Sequence, residues 1–126
     1  MSLKHILYIE DDQDIRLVVT MVLQASGIIV DSYPSSQEAL DAAPNASPDL
    51  ILLDITMPQK NGFETLTELR SLDGYASVPA VFLTARIDLT AAALKGFQPI
   101  AVITKPFEPA NFRIELDSIY ESFTNN

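Results

Sequence analysis

The chain has 126 residues, of which 48% are hydrophobic, and these figures predict one globular domain with a core of its own. It has no cysteine and a single histidine, His5, which excludes disulfides, thiolate chemistry and a multi-histidine metal site. The formal net charge of -9 disfavours direct binding to nucleic acid or to an anionic membrane. We find no signal peptide and no apolar run that could span a bilayer, so we expect a cytoplasmic protein.

Five short apolar runs alternate along the chain with segments of helical periodicity. The runs are mostly continuous rather than alternating, which is typical of strands buried on both faces of a parallel sheet. In chain order they are His5–Ile9, 28–31, Leu50–Leu53, 80–83 and 100–103.

A helix is predicted after each apolar run, because hydrophobic residues recur there at helical spacing. The helices span 14–26, a short segment from a cap at Ser35 or Ser36 to Pro44, a segment capped by Asn61, an alanine-rich segment over 88–96, and a last helix after Pro109.

Strand and helix therefore alternate five times, and right-handed crossovers make this an α/β fold. We expect a doubly wound, five-stranded parallel sheet in the flavodoxin-like order 2-1-3-4-5, with five helices on both faces. Residues 1–126 form a single domain in this interpretation. Its core spans 4–123, and residues 1–3 are a candidate vector-derived extension.

Charged and polar residues follow the strands at the ends that meet along one edge of the predicted sheet. We expect them to share one crevice, because ligand sites of such sheets lie at the carboxyl ends of the strands. Oxygen ligands without nitrogen or sulfur suit a hard ion such as Mg²⁺. The residues are Glu10, Asp11 and Asp12 after the first run, Asp54 after the third, Thr84 after the fourth and Lys105 after the fifth.

Beside such an ion, Asp54 could attack phosphorus and form an aspartyl phosphate. Lys105 would supply a mobile positive charge, and the Thr84 hydroxyl would bond a phosphoryl oxygen. New phosphoryl oxygens would draw both side chains inward and move their loops, which amounts to a switch. Asp12 is also suited to capping the first helix, and Gly62 is expected to meet a backbone requirement near the third.

Several motifs carry a family resemblance when they are taken together. They are IEDD at 9–12 with Ile15-Arg16, DLILLD at 49–54 with Met57-Pro58 and Asn61-Gly62, LTA at 83–85, and KPF at 105–107. Over nearly its whole length the chain resembles the receiver domain of bacterial two-component response regulators, of the chemotaxis-regulator type.

The resemblance implies a role for each residue of the predicted crevice. Asp54 matches the phosphoacceptor, while Glu10 and Asp11 match the acidic pair that binds Mg²⁺ together with Asp54 and the backbone carbonyl of Thr56. Thr84 and Lys105 match the switch hydroxyl and the lysine of the family. A cis bond is a candidate feature at Lys105-Pro106.

The resemblance also implies partners and a non-enzymatic role. The phosphodonor would be a sensor histidine kinase or a histidine phosphotransfer protein, and the signal would pass to an output protein or a fused output domain. The protein itself would only catalyse its own phosphoryl transfer and autodephosphorylation, without direct contact with nucleic acid or membrane.

Val102 and the residues leading up to it, 96–101, depart from the family pattern and keep other interpretations open. Receivers commonly place an aromatic residue three positions before the lysine, where this chain has Val102. A receiver-like interaction scaffold without regulation is therefore an alternative. A phosphohydrolase with an aspartyl nucleophile is a weaker one, because such enzymes usually need a second acid two residues after the nucleophile, where Thr56 stands.

Overall fold

A computed structural model describes residues 3–85, 89–90 and 94–125. Five parallel strands form one sheet in the order β2-β1-β3-β4-β5, as predicted. The strands are β1 (His5–Ile9), β2 (Ile29–Tyr33), β3 (Leu50–Leu53), β4 (Ala80–Thr84) and β5 (Ala101–Thr104).

The second strand begins one residue later than predicted and continues to Tyr33. Ile28 is buried, but its N–H donates to the carbonyl of Leu23 at the end of the preceding helix (3.2 Å), and the β1–β2 pairing starts at Ile29. The apolar run therefore predicts which residues are buried, but the strand itself begins only at Ile29, where the hydrogen-bonded pairing with β1 begins.

Four α-helices lie within the described residues, where the sequence predicted five along the chain. The predicted segment over 88–96 falls partly on residues 88 and 91–93, which lie outside the described residues; of the remainder, Leu94 and Lys95 are helical. The four helices are α1 (Gln13–Ala25), α2 (Ser36–Ala42), which continues into a 3₁₀ turn (Ala43–Asn45), α3 (Gly62–Arg70) and α4 (Pro109–Thr124).

The helix ends follow from local chemistry. Asp12 caps α1 by accepting the N–H of Ile15 (3.0 Å), and Gly27 leaves the helix with a φ of 85° that favours glycine. Ser35 is the cap of α2, and Asn61 forms a reciprocal capping box with Glu64 at the start of α3.

Two hydrophobic layers cover the sheet. The first layer packs α1 and α4 against one face, and the second packs α2 and α3 against the other. Alternation along β1 sends Tyr8 into the first layer and Leu7 and Ile9 into the second. In the described part of the chain, no helix has the length and apolar character needed to cross a membrane.

Candidate phosphoacceptor site

Two acidic residues are held in fixed positions where the central strands end. Glu10 directly follows β1, and its N–H donates to the carbonyl of Tyr33 (3.1 Å). Asp54 directly follows β3, and its N–H donates to the carbonyl of Ile9 (3.1 Å). Both residues are buried, at 0% and 5% exposure. The sheet ladder thus continues one residue past the strands and places two carboxylates side by side.

Lys105 places one ammonium between these two carboxylates. Its Nζ lies 2.9 Å from Asp54 Oδ2 and 2.7 Å from Glu10 Oε1. The lysine follows β5, and its N–H donates to the carbonyl of Thr84 at the end of β4 (2.8 Å). The peptide bond Lys105-Pro106 is cis, as predicted.

The carboxylates of Glu10, Asp11 and Asp54 each offer an oxygen, and these oxygens lie within 4.8 Å of one another. Asp11 is exposed while the other two are buried, so a cation could reach the cluster from solvent. The donor set consists of oxygens alone, which fits a hard divalent ion such as Mg²⁺. Thr56 donates its N–H to Asp54 Oδ1 (3.1 Å), and its carbonyl as a metal ligand stays a prediction.

The electrostatics of the site reflect two acids that share one cation. The pKa of Glu10 is raised to about 7: burial is the largest cause, the hydrogen bond and charge of Lys105 oppose the shift, and the charge of Asp54 adds to it. For Lys105, burial lowers the pKa, but the hydrogen bonds and charges of Glu10 and Asp54 outweigh it, so the pKa is raised. The ammonium therefore stays charged and available to an anion.

Gly62 meets the predicted backbone requirement because it packs directly against the backbone of Asp54 and Ile55. A Cβ on this residue would overlap the carbonyl oxygen of Asp54 and lie 2.8 Å from the Cα of Ile55. The Gly62 N–H also donates to the carbonyl of Ile55 (2.8 Å). The start of α3 can approach the backbone of the candidate phosphoacceptor only because this side chain is absent.

Other predicted residues take positions beside the cluster or away from it. Thr84 is wholly buried at the end of β4, and its role as the switch hydroxyl stays a prediction. Asp12 caps α1. His5 lies at the opposite end of β1, where its Nε2 is 2.6 Å from Asp31 Oδ2. Val102 is half-buried and packs into the second layer.

Sequence reasoning assigned no site role to two residues that surround Glu10. Arg16 donates a hydrogen bond from its guanidinium to the carbonyl of Glu10 (2.7 Å), and its place one turn after the cap Asp12 is the signal that could have found it. Tyr8 is wholly buried two residues before Glu10. In the sequence Tyr8 is simply one member of an apolar run, although alternation places it on the same face as Glu10.

Comparisons with known proteins agree with this geometry. The family model of the response regulator receiver domain matches residues 6–117, and the chain belongs to this family. It is thus a regulatory phosphoacceptor domain of two-component signalling. A curated relative, the transcriptional regulatory protein RprY of Bacteroides fragilis, is 38% identical over 114 residues, covering 87% of this chain and 47% of RprY. The chain therefore spans about half the length of that relative.

Solved structures show the same fold. The chemotaxis response regulator CheY4 of Vibrio cholerae is 28% identical with a TM-score of 0.84, over 94% of this chain and 99% of that one. The receiver domain of the sensor histidine kinase PA1611 from Pseudomonas aeruginosa has a TM-score of 0.81 at 24% identity, over 95% of this chain and 99% of that one. That structure holds a magnesium ion in its active-site cleft.

Proposed function

We propose that Asp54 is the residue that accepts the phosphoryl group, and that Lys105 and a Mg²⁺ site formed by Glu10, Asp11 and Asp54 serve this transfer. The observation that carries the proposal is the shared ammonium: Lys105 Nζ lies 2.9 Å from Asp54 Oδ2 beside three carboxylates whose oxygens lie within 4.8 Å of one another. Phosphoryl transfer depends on positioning the nucleophile and on neutralising the charge of the phosphoryl oxygens. At Asp54 the end of β3 fixes the carboxylate, and Lys105 supplies a positive charge.

In the transfer step, a carboxylate oxygen of Asp54 attacks phosphorus. A bond forms between that oxygen and phosphorus, the bond from phosphorus to the donor nitrogen or oxygen breaks, and the donor keeps the electron pair. Lys105 neutralises charge on the transferred group. Mg²⁺, when bound through the three carboxylates and the Thr56 carbonyl, supplies further neutralisation of phosphoryl oxygens. Hydrolysis of the acyl phosphate by water restores the carboxylate and releases phosphate, so the domain resets itself.

The donor in this proposal is a sensor histidine kinase or a histidine phosphotransfer protein. An apolar groove adjoins Lys105, between the start of α1 and the loop that precedes α4, and offers such a protein a docking surface next to Asp54. The groove is lined by Ile15, Val18, Ala85, Pro106, Phe107 and Pro109. On α1 the surface continues through Leu17 and Met21, which are 58% and 60% exposed.

Thr84 and Lys105 carry the switch in this proposal. The backbone hydrogen bond between the Lys105 N–H and the Thr84 carbonyl joins the two residues (2.8 Å), so a displacement of one is transmitted to the other. The Thr84 hydroxyl would bond the new phosphoryl oxygens, and the moved loops would signal to an output protein or to an output domain fused to this chain. The length of RprY beyond the matched region is consistent with a fused output domain.

The test is phosphorylation of the purified protein by acetyl phosphate with Mg²⁺, followed by intact mass spectrometry. We expect the wild type to gain the mass of one phosphoryl group, and Asp54→Asn to gain none, because an amide is not a nucleophile for this step. Asp41→Asn removes an exposed carboxylate on α2 and is the matched control, which should react like the wild type. Equal labelling of Asp54→Asn and the control would contradict the assignment, and no labelling of the wild type would favour the scaffold alternative.

A further inference from the structure

Two buried hydroxyl groups join α2 to α3 near the candidate phosphoacceptor. Ser36 is the first residue of α2 and is 5% exposed, while Thr65 is the fourth residue of α3 and is wholly buried. Their side-chain oxygens are hydrogen-bonded to each other. Burying a hydroxyl costs free energy unless it is hydrogen-bonded, and an aliphatic side chain would avoid this cost. The pair therefore calls for an explanation beyond packing.

The two hydroxyls also hold backbone carbonyls of one loop. Ser36 donates a hydrogen bond to the carbonyl of Lys60 (3.2 Å). Thr65 donates one to the carbonyl of Asn61 (2.7 Å). Lys60 and Asn61 are the last residues of the loop that leads from β3 to α3. The pair thus ties the end of this loop to α2 as well as to α3.

This loop, residues 55–61, begins directly after the candidate phosphoacceptor. The Thr56 N–H donates to Asp54 Oδ1 (3.1 Å). Thr56 and Gln59 are exposed, and Gln59 has a φ of 68°, a conformation that residues other than glycine adopt at a cost in free energy. The shape of the loop therefore depends strongly on the contacts that hold its ends.

Two backbone hydrogen bonds connect the end of the loop to the peptides around Thr56. The Lys60 N–H donates to the carbonyl of Pro58 (2.8 Å), and the Gly62 N–H donates to the carbonyl of Ile55 (2.8 Å). Because Ile55 directly precedes Thr56, a shift of the chain at 60–62 changes the orientation of the Thr56 backbone. The hydroxyl pair can thus act on the site through the loop.

We propose that Ser36 and Thr65 are positioning residues for the Mg²⁺ site, because their hydroxyls fix the end of the loop and thereby the backbone carbonyl of Thr56. The inference rests on the function proposed above, in which this carbonyl is a ligand of the ion. A loop already held in the conformation that binds the ion costs less free energy to order when Mg²⁺ arrives. Loss of the hydroxyls should therefore weaken Mg²⁺ binding.

Three variants separate the hydroxyl from the volume of the side chain. Thr65→Val keeps the branched shape but removes the hydroxyl, and we expect its Mg²⁺ affinity to fall by about fivefold, the factor given by one neutral hydrogen bond. Ser36→Ala removes the bond to the Lys60 carbonyl and should lower the affinity by a similar factor. Thr65→Ser restores a hydroxyl and should bind Mg²⁺ like the wild type, although loss of a buried methyl group lowers its melting temperature.

Thr67→Val is the matched control. Thr67 also lies on α3, and its hydroxyl makes the same kind of bond, to the carbonyl of Phe63 (2.9 Å), but the residue is exposed and this bond stays within the helix. Titration of ¹⁵N-labelled protein with MgCl₂, followed by NMR, gives each dissociation constant. Amide exchange in metal-free buffer gives a second measurement: the Gly62 N–H should exchange faster in Thr65→Val and Ser36→Ala, because its bond to the Ile55 carbonyl opens more often.

The pattern across the variants decides the inference. Weaker Mg²⁺ binding and faster Gly62 exchange in Thr65→Val and Ser36→Ala, with the affinity of the wild type in Thr65→Ser and Thr67→Val, support it. Wild-type affinity in Thr65→Val and Ser36→Ala overturns it, because the pair would then serve packing alone. An equal loss of affinity in Thr65→Ser also overturns it, since the effect would follow volume. If Thr65→Val does not fold, the affinity of Ser36→Ala decides.

Failure of the inference can be told apart from failure of the proposed function. If the wild type binds no Mg²⁺, the proposed metal site fails together with the inference. If the wild type binds Mg²⁺ and is phosphorylated by acetyl phosphate while the hydroxyl-free variants bind the ion equally well, only the inference fails.

Discussion

The two ends of the sheet carry the same kinds of charged side chain but use them differently. At the amino end, His5 pairs with Asp31 across β1 and β2, and Asp49 accepts the backbone N–H groups of Lys4 and His5 (3.1 and 3.0 Å). The His5 and Asp31 side chains are 23% and 36% exposed. The His5–Asp31 pair is partly exposed to solvent and backbone N–H groups bond Asp49, so the amino end serves to hold strands together.

At the carboxyl end, two buried carboxylates share a single ammonium. Glu10 and Asp54 both contact Lys105, and burial raises the pKa of Glu10 to about 7. The difference between the ends is therefore one of burial and of the ratio of acids to cations, rather than of residue type. Two buried carboxylates that share one ammonium carry excess negative charge. Such a group can bind a cation, and its ammonium can move toward a new anion.

The largest expected effect is the pH dependence of stability in metal-free buffer. The pKa of Glu10 rises from 4.5 in the unfolded chain to about 7 in the folded protein, so the folded state binds this proton more tightly. The contribution of Glu10 to the unfolding free energy is therefore most favourable below pH 4.5. It falls by about 3 kcal/mol as the pH rises from 4.5 to about 7.

The measurement is urea unfolding of wild type and Glu10→Gln at several pH values with a chelator present. Gln resembles the protonated acid, so the stability advantage of Glu10→Gln should grow from pH 4.5 to 7. Gln24→Ala on α1 replaces an exposed residue without an ionisable group and is the control, which should show no such growth. If the difference in unfolding free energy between Glu10→Gln and the wild type stayed constant with pH, burial of Glu10 would not distinguish the carboxyl end of the sheet from the amino end.

A second effect, of about 2 kcal/mol, is expected from Gly62→Ala, because the new methyl group would collide with backbone atoms of Asp54 and Ile55 that have little room to move. Gly96→Ala is the matched control, since a Cβ there meets no atom within 4 Å and the residue is exposed. Urea unfolding should show a clear loss for Gly62→Ala and a change within about 0.5 kcal/mol for Gly96→Ala. Equal unfolding free energies for Gly62→Ala and Gly96→Ala would mean that the backbone of Asp54 and Ile55 can shift to accommodate a methyl group.

The smallest effect is expected at the amino end. Asp31→Asn should lower the unfolding free energy by less than about 1 kcal/mol, because the His5–Asp31 pair is partly exposed to water. Raising the salt concentration should shrink the difference further through screening. A loss comparable to that of Gly62→Ala would show that the amino end is as tightly constrained as the site.

The strands and most helix starts could be read from the sequence because they depend on local signals. Continuous apolar runs located β1 and β3 to the residue, and cap residues such as Asn61 located the helices. The end of β2 could not be read in this way, since Asp31, Ser32 and Tyr33 are only partly buried and belong to the strand through pairing with β1.

The gathering of Glu10, Asp11, Asp54 and Lys105 was also predictable, because parallel strands bring their carboxyl ends to one edge. Two features were not predictable: the hydrogen bond from Arg16 to the Glu10 carbonyl, and the Tyr8 hydroxyl, which has no hydrogen-bond partner among the described residues. Both depend on side-chain packing across β1 and α1, which residue spacing does not specify.

The contact of Gly62 with Asp54 has a mechanical consequence for the surface of the protein. Helix α3 spans nine residues, or roughly 13 Å, and starts in direct contact with the backbone of Asp54. The capping box of Asn61 and Glu64 makes its first turn stiff. A small tilt of the Asp54 peptide would therefore move α3 as a rigid body. A partner bound at the C-terminal end of α3 would be displaced by this movement without contacting the acidic crevice.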